Sequence, residues 1–368
     1  MKTTSIEKVL KKTEDELFST DDYAEIPPQD IIAYNELRSC ADLFRMHQNG
    51  LLDTQPSFQR EFVWKGPEQT RFVDSLLKQL PIPSMCFATD MKQQRWIVID
   101  GLQRMSTIIR FLKGSDWKLS KLDDIDKRLS GASAAAIKTS ESKLNEIYTR
   151  IENLTVPITV LRCDFTKKQH MEYLFTIFHR LNSGGAKLTN QEIRNGIYGG
   201  SFNELLRKLD KGSRWRRINK IRPTGYYRYR YQEVILRFFT FFDKQEEYGG
   251  HLAKFLNDYM HDNRSPSELF LKEKEELFNE TVECVSSKVF GGKSPPEKVP
   301  ITILEAVLVG VGKNLGRLSA CSERQVREQY LLLLSRHEFS EEARKEGLSK
   351  KEKVQSRLDT AINVFNEI

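Results

Sequence analysis

Apolar residues along this chain recur with helical spacing in some stretches and as short strand-like runs in others. Phe72, Val73, Leu76, Leu77 and Leu80 lie three and four apart, which predicts one face of a helix. Gly66-Pro67 opens that helix with proline at its first position, and Pro81-Ile82-Pro83 stops it. Residues 84–89 and 95–99 are two strands around a polar turn at 90–94, a hairpin pattern. Leu102, Met105, Ile108, Ile109 and Leu112 form the face of a second helix, with Gly114 placed as its left-handed cap. A short helix is expected over 41–49, ended by Gly50, and residues 31–34 read as a short edge strand or as part of a leader. Residues 115–153 are polar and in part Ala/Ser-rich and read as a helical insertion, followed by a strand over 156–163. The boundaries expected are a polar leader at 1–40, a first domain at 41–165 and a mostly α-helical domain at 166–368. In the last, residues 171–181 form a helix and Thr189-Asn190-Gln191-Glu192 fits a capping box opening the next. Further helices are expected near 201–209, 230–242, 250–260, 265–285, 300–313, 323–335 and 350–367.

Composition narrows the class of protein. Apolar residues make up 39% of the 368, enough for a folded core. A net charge of +7 permits a nucleic-acid or nucleotide partner without requiring one. The five cysteines are odd in number and widely spaced, so neither a disulfide framework nor a zinc site is expected. Cys86 and Cys163 lie in apolar runs and read as core residues. The first 30 residues show no apolar secretory segment, and no run of about 18 apolar residues occurs. A cytoplasmic location is the expectation.

The candidate chemistry begins where the second hairpin strand runs through Asp100-Gly101 into a helix. A helix start leaves unpaired N–H groups and a partial positive charge, both suited to an anion. Gly101 lets the backbone approach a ligand, and Arg104 in the first turn can clamp a phosphate with a two-pronged contact. Gln103, Ser106 and Thr107 add neutral hydrogen bonds, and Asp100 is suited to a metal, a ribose or a water. Gln59-Arg60 before Trp64 supplies a second cation, with Trp64 either a stacking platform or a core anchor. A third cluster is His179-Arg180-Leu181-Asn182-Ser183-Gly184-Gly185, followed by Glu192-Ile193-Arg194-Asn195. Each has a plainer alternative as an ordinary turn, cap or solvated face.

Taken in order, these segments resemble the N-terminal domain of GmrSD-type restriction systems, within the ParB/sulfiredoxin-like superfamily. The text that carries the resemblance is Pro56-x-Phe58-Gln59-Arg60-x-x-Val63-Trp64, Asp74-Ser75-Leu76-Leu77, Pro81-Ile82-Pro83 and Val98-Ile99-Asp100-Gly101-x-Gln103-Arg104-x-x-Thr107. It continues with Phe178-x-Arg180-Leu181-Asn182-Ser183-Gly184-Gly185-x-x-Leu188-Thr189 and Glu192-Ile193-Arg194-Asn195. The resemblance implies an α+β protein, a ParB/sulfiredoxin-like α/β domain followed by a mostly helical one. It implies a nucleoside triphosphate bound with a divalent metal such as Mg2+, often with hydrolysis, in defence against phage or modified DNA. By position, Asp100, Gln103 and Arg104 take the catalytic places, while Gln59, Arg60, Gly101, Ser106, Thr107, Arg180, Asn182 and Arg194 line the nucleotide. One departure stands out: where the family writes Asp-Gly-Gln-Gln-Arg, the third residue here is Leu102. That bears on hydrolysis more than on binding.

Relatives often carry a His-Asn-His nuclease domain, whose site needs a histidine base and clustered metal ligands. The six histidines here are scattered, so a stand-alone member without that nuclease is expected. No Walker-A or Gly-x-Ser-x-Gly element occurs. A separate basic run carries Arg214, Arg216, Arg217, Lys220, Arg222, Arg228 and Arg230 interleaved with Trp215, Tyr226, Tyr227 and other tyrosines. Such a run is a candidate DNA surface, and a solvated loop with packed tyrosines is its alternative. Three functions follow: a nucleoside triphosphatase, a nucleotide-switched DNA-binding module, and a regulatory subunit for a separate effector chain.

Overall fold

The computed structural model describes residues 12–13, 28–54, 64–90, 92, 94–139, 141, 144–181, 188–222 and 227–368. Contacts divide the chain into two compact units, residues 24–188 and residues 1–23 with 189–368. The molecule is α+β, as expected, with the sheet in the first unit and helices making up most of the second.

Among the described residues the sheet unit has five strands in the order β1-β5-β3-β4-β2. Strand β1 (Ile32–Ser39) pairs antiparallel with β5 (Thr155–Cys163), which runs parallel to β3 (Met85–Asp90). Strand β4 (Trp96–Asp100) closes the expected hairpin with β3, and the two-residue β2 (Leu52–Asp53) pairs parallel with β4. All of β1 falls inside the expected leader, of which only residues 31–34 read as an edge strand from sequence. It is an edge strand with most side chains exposed, so no apolar alternation marks it in the sequence. Helices α1 (Cys40–Gln48), α2 (Gly66–Leu77) and α3 (Leu102–Lys113) pack together. Their apolar faces share one core with Phe87, Val98, Val156, Ile158 and Val160 of the sheet.

Among its described residues the insertion is helical at α4 (Ala134–Lys138) and α5 (Asn145–Asn153). The stretch before α4 is irregular, folded back through Leu119 N–H onto Ala132 O at 2.9 Å. Helix α6 (Lys168–Leu181) packs against β4, so the sheet unit continues beyond residue 165.

The helical unit runs through α7 (Asn190–Ile197), α8 (Ser201–Asp210), α9 (Ser213–Ile218) and α10 (Arg230–Lys244). Helices α11 (Leu252–Asp262), α12 (Glu268–Cys284), α13 (Ile301–Lys313), α14 (Leu315–Leu318), α15 (Glu323–Ser335) and α16 (Lys351–Asn366) complete it. The capping box at α7 forms as predicted: Thr189 Oγ1 accepts from Glu192 N–H, and Glu192 accepts from Thr189 N–H at 2.7 Å. No described helix is long and apolar enough to cross a membrane.

Candidate functional site

Strand β4 enters α3 through one left-handed residue. Gly101 has φ +92° and is the residue before the first helical turn. An added Cβ there would come within 2.5 Å of Met85 Cγ, so glycine is required by backbone and by space. Its carbonyl accepts from Met105 N–H at 2.9 Å, while helix geometry leaves the N–H groups of Leu102, Gln103 and Arg104 without intrahelical partners. The β3–β4 pairing shifts register just before this turn: Val98 faces Phe87, but Asp100 faces Cys86. The extra residue in β4 is a bulge, a device that re-aims a strand end.

Arg104 leans back over this turn. Its Nη2 donates to Asp100 Oδ2 at 2.9 Å and to Ser84 O at 3.4 Å, and its Nη1 donates to Pro83 O. The guanidinium side chain is 14% exposed and the Asp100 carboxylate 38%, so the acid faces solvent and the base is its mostly covered partner. Burial lowers the proton affinity of Arg104 and the Asp100 charge opposes this, and an arginine stays cationic through such a change. The carbonyls of Pro83 and Ser84 were not singled out from sequence. Their signal was the Pro81-Ile82-Pro83 stop, which brings the chain back alongside α3.

The neighbouring positions divide. Gln103 Oε1 accepts from Trp64 N–H at 3.3 Å, which ties the site to the residue directly after the 55–63 segment. Trp64 packs on the core, edge-on to Phe72 at 5.5 Å, which favours the anchor reading. Thr107 is fully buried and its hydroxyl donates to Gln103 O at 2.7 Å, so it braces the helix. Ser106 is 8% exposed. Leu102 is half-buried against the apolar core. Arg180 is exposed in the last turn of α6. Gln59, Arg60 and Asn182 lie outside the described residues.

Arg194 does not fit its expected place at a nucleotide. It is 1% exposed, with Nη1 2.9 Å from Glu233 and Nε donating to Asn257 at 2.8 Å. The Glu233 carboxylate also holds Arg237, which reaches Glu305. Arg194 thus belongs to a buried ion network, where pairing offsets the cost of desolvation.

The basic run is more structured than a loop. Helix α9 buries Trp215 (1% exposed) edge-on to Phe278 at 5.3 Å, and Tyr231 is buried beside it. Tyr227 packs edge-on to Tyr231 at 5.7 Å and is half-buried, so the described aromatics serve packing. Tyr226 lies outside the described residues. Arg214 pairs with Glu283, Arg216 Nε donates to Asp210 O at 3.2 Å, and Arg228 pairs with Glu192 at 2.8 Å. Arg230 is half-buried in the first turn of α10. Arg217 and Lys220 donate to the carbonyls of Gly292 and Pro296, contacts that leave their charge uncancelled, and with Arg222 they are exposed. Among the described residues no group of three or more His, Cys, Asp or Glu could hold a metal ion.

The fold and this turn define a class: an α+β domain whose central hairpin delivers an acid, a glycine and an arginine to the open start of a helix. Residues 40–199 match the family model described as GmrSD restriction endonuclease, N-terminal domain. This segment is thus similar to the GmrSD-type N-terminal domain, a family that points to a restriction-system context. No curated protein and no solved structure matches the chain.

Proposed function

We propose that the chain is a nucleoside-triphosphate-binding protein of a restriction or anti-phage system, and a triphosphatase, with its phosphate seat at Asp100–Arg104. The observation that carries the reading is the coincidence, inside the matched segment, of a left-handed Gly101, three free helix-start N–H groups and a pinned Arg104. An incoming phosphate takes the N–H groups, and Arg104 adds charge stabilisation by exchanging a carbonyl partner for a phosphate oxygen. Asp100 keeps one oxygen on Arg104 and presents its carboxylate to solvent, which suits a single protein contact to Mg2+. A Mg2+ bound with the nucleotide would be held mainly by the phosphates, where it would neutralise charge on the β and γ groups. Gln103 is placed to orient water.

The test is a panel of ATP, GTP, CTP and UTP with Mg2+, scored for thermal shift and for phosphate release. Arg104→Ala should lose at least about tenfold in affinity, the worth of one charge-assisted contact. A folded Arg104→Ala protein with unchanged shift and turnover removes the reading.

The exposed, carbonyl-bonded cations Arg217 and Lys220, with Arg222, favour a second reading, a nucleotide-switched module that binds DNA for a separate effector chain. It predicts salt-sensitive DNA binding weakened by joint charge reversal at Arg217, Lys220 and Arg222. Affinity indifferent to that reversal excludes this surface.

A further inference from the structure

We infer that the sheet domain carries a second ligand site, for a small planar anion of nucleoside-monophosphate size, at the end of β4 opposite Asp100. The strand register builds its floor. Ile32 faces Arg162, Arg162 faces Thr89 and Thr89 faces Trp96, one row across four strands. In the adjacent row Val160, Phe87 and Val98 are at most 1% exposed beneath the helices. Side chains two apart on a strand share a face, so Arg162 lies on the same face as Val160 and Ile158. The helices stop short of its row. The later part of α1 overhangs it and leaves a cleft of about 550 Å3 lined by Arg38, Arg45, Arg162, Trp96, Thr89 and Asn49, among others. That volume is in the range of small-ligand pockets.

Arg162 carries the argument. An inner strand on a helix-covered face ordinarily continues the apolar row, as Val156, Ile158 and Val160 do here. Arg162 is exposed and lines the cleft, and no described residue forms a hydrogen bond or ion pair with its side chain. The other two guanidiniums are committed: Arg38 to Glu36 and Asp42, and Arg45 to Asp42. The second carboxylate of the cleft, Asp90, is 1% exposed and accepts from Lys92 N–H at 2.8 Å. With Glu36 and Asp42 taking Arg38 and Arg45, the Arg162 guanidinium is left on the floor with no carboxylate partner among the described residues. An anion is the matching ligand.

The walls add shape. The Arg38 guanidinium lies over the Trp96 indole, 4.8 Å from its centroid, and Tyr34 stands at the rim with 38% exposure. Stacked flat groups of this kind accept a planar ring. Trp96 and Asp100 are four residues apart on one strand, roughly 13 Å at 3.3 Å per residue, so the cleft and the phosphate seat are separate places.

The experiment titrates the full chain with AMP, GMP, CMP, UMP and inorganic phosphate by calorimetry, in parallel on Arg162→Gln and Arg104→Ala. At least one monophosphate should bind more tightly than phosphate alone, with affinity lowered at least about tenfold by Arg162→Gln and unchanged by Arg104→Ala. Arg162 is exposed and its side chain has no partner among the described residues, so Arg162→Gln should keep the wild-type melting temperature. No monophosphate binding at millimolar concentration overturns the inference. So does binding indifferent to Arg162→Gln, or binding abolished by Arg104→Ala, which places the ligand at the other end of the strand.

Discussion

Gly101 and Asp30 show how single residues set the limits of the sheet unit. Alanine at 101 would have to hold φ +92° and displace Met85, so Gly101→Ala should cost about 1–3 kcal/mol, seen as a lower urea midpoint. Asp30 sits between Lys167 and His170, with His170 Nε2 at 2.8 Å, and these contacts hold its carboxyl at about 2, below the usual 3.8. A depressed acid stabilises the fold above its unfolded value, and the contribution goes as pH falls through its folded value. The Asp30 share should therefore be complete above about pH 4 and vanish toward pH 2. Asp30→Asn should flatten that limb of an acid-unfolding curve, and an unchanged limb would assign the sensitivity elsewhere.

At the scale of elements, the start of α7 is held by more than its capping box. Glu192 is fully buried and serves Thr189 N–H and, through both oxygens, Arg228. Arg228 and Tyr229 precede α10 with φ of 49° and 57°, conformations non-glycine residues hold only when fixed by neighbours. Glu192→Gln keeps the cap geometry and leaves Arg228 without its countercharge. A loss of about 1–3 kcal/mol is expected by urea titration, and a change within error would show the pair to be idle. The box was readable because it is local: four consecutive residues write it. So were α2, α3 and the hairpin, each marked by periodicity, proline or glycine. Elements defined by distant partners were not. The two-residue β2 exists only through β4, and β1 takes its length from β5, so the sequence suggests an edge strand only at 31–34. Helix α9 hid behind its arginines because only Trp215 and Ile218 face inward. The strand–glycine–helix turn at Asp100–Arg104 was legible because it is local. Arg194 was misplaced because its polar neighbours gave no sign of a partner 39 residues away.

Across the whole molecule, charge and sulfur are both distributed by burial. The ion network joins Arg194, Glu233, Arg237, Glu305 and Arg357 on four helices of the helical unit, so its members are distant in sequence and shared in space. Cys40, Cys86, Cys163 and Cys284 are buried, and burial pushes the first three thiols up to about 12. Only a thiolate reacts readily with an alkylating reagent. Cys321 is the partly exposed exception, so native protein should take up one label quickly and five after denaturation. Rapid native labelling of two or more sites would contradict the burial described.

The bulge before Asp100 has its own consequence. Because it breaks the alternation of β4, the two ends of one short strand address different layers, Trp96 with the helix-covered row and Asp100 with Cys86. Occupants of the two ends would not collide, and both could be resident together. Any influence of one on the other would travel as a small slide or twist of five residues, so cross-talk would be graded rather than all-or-none.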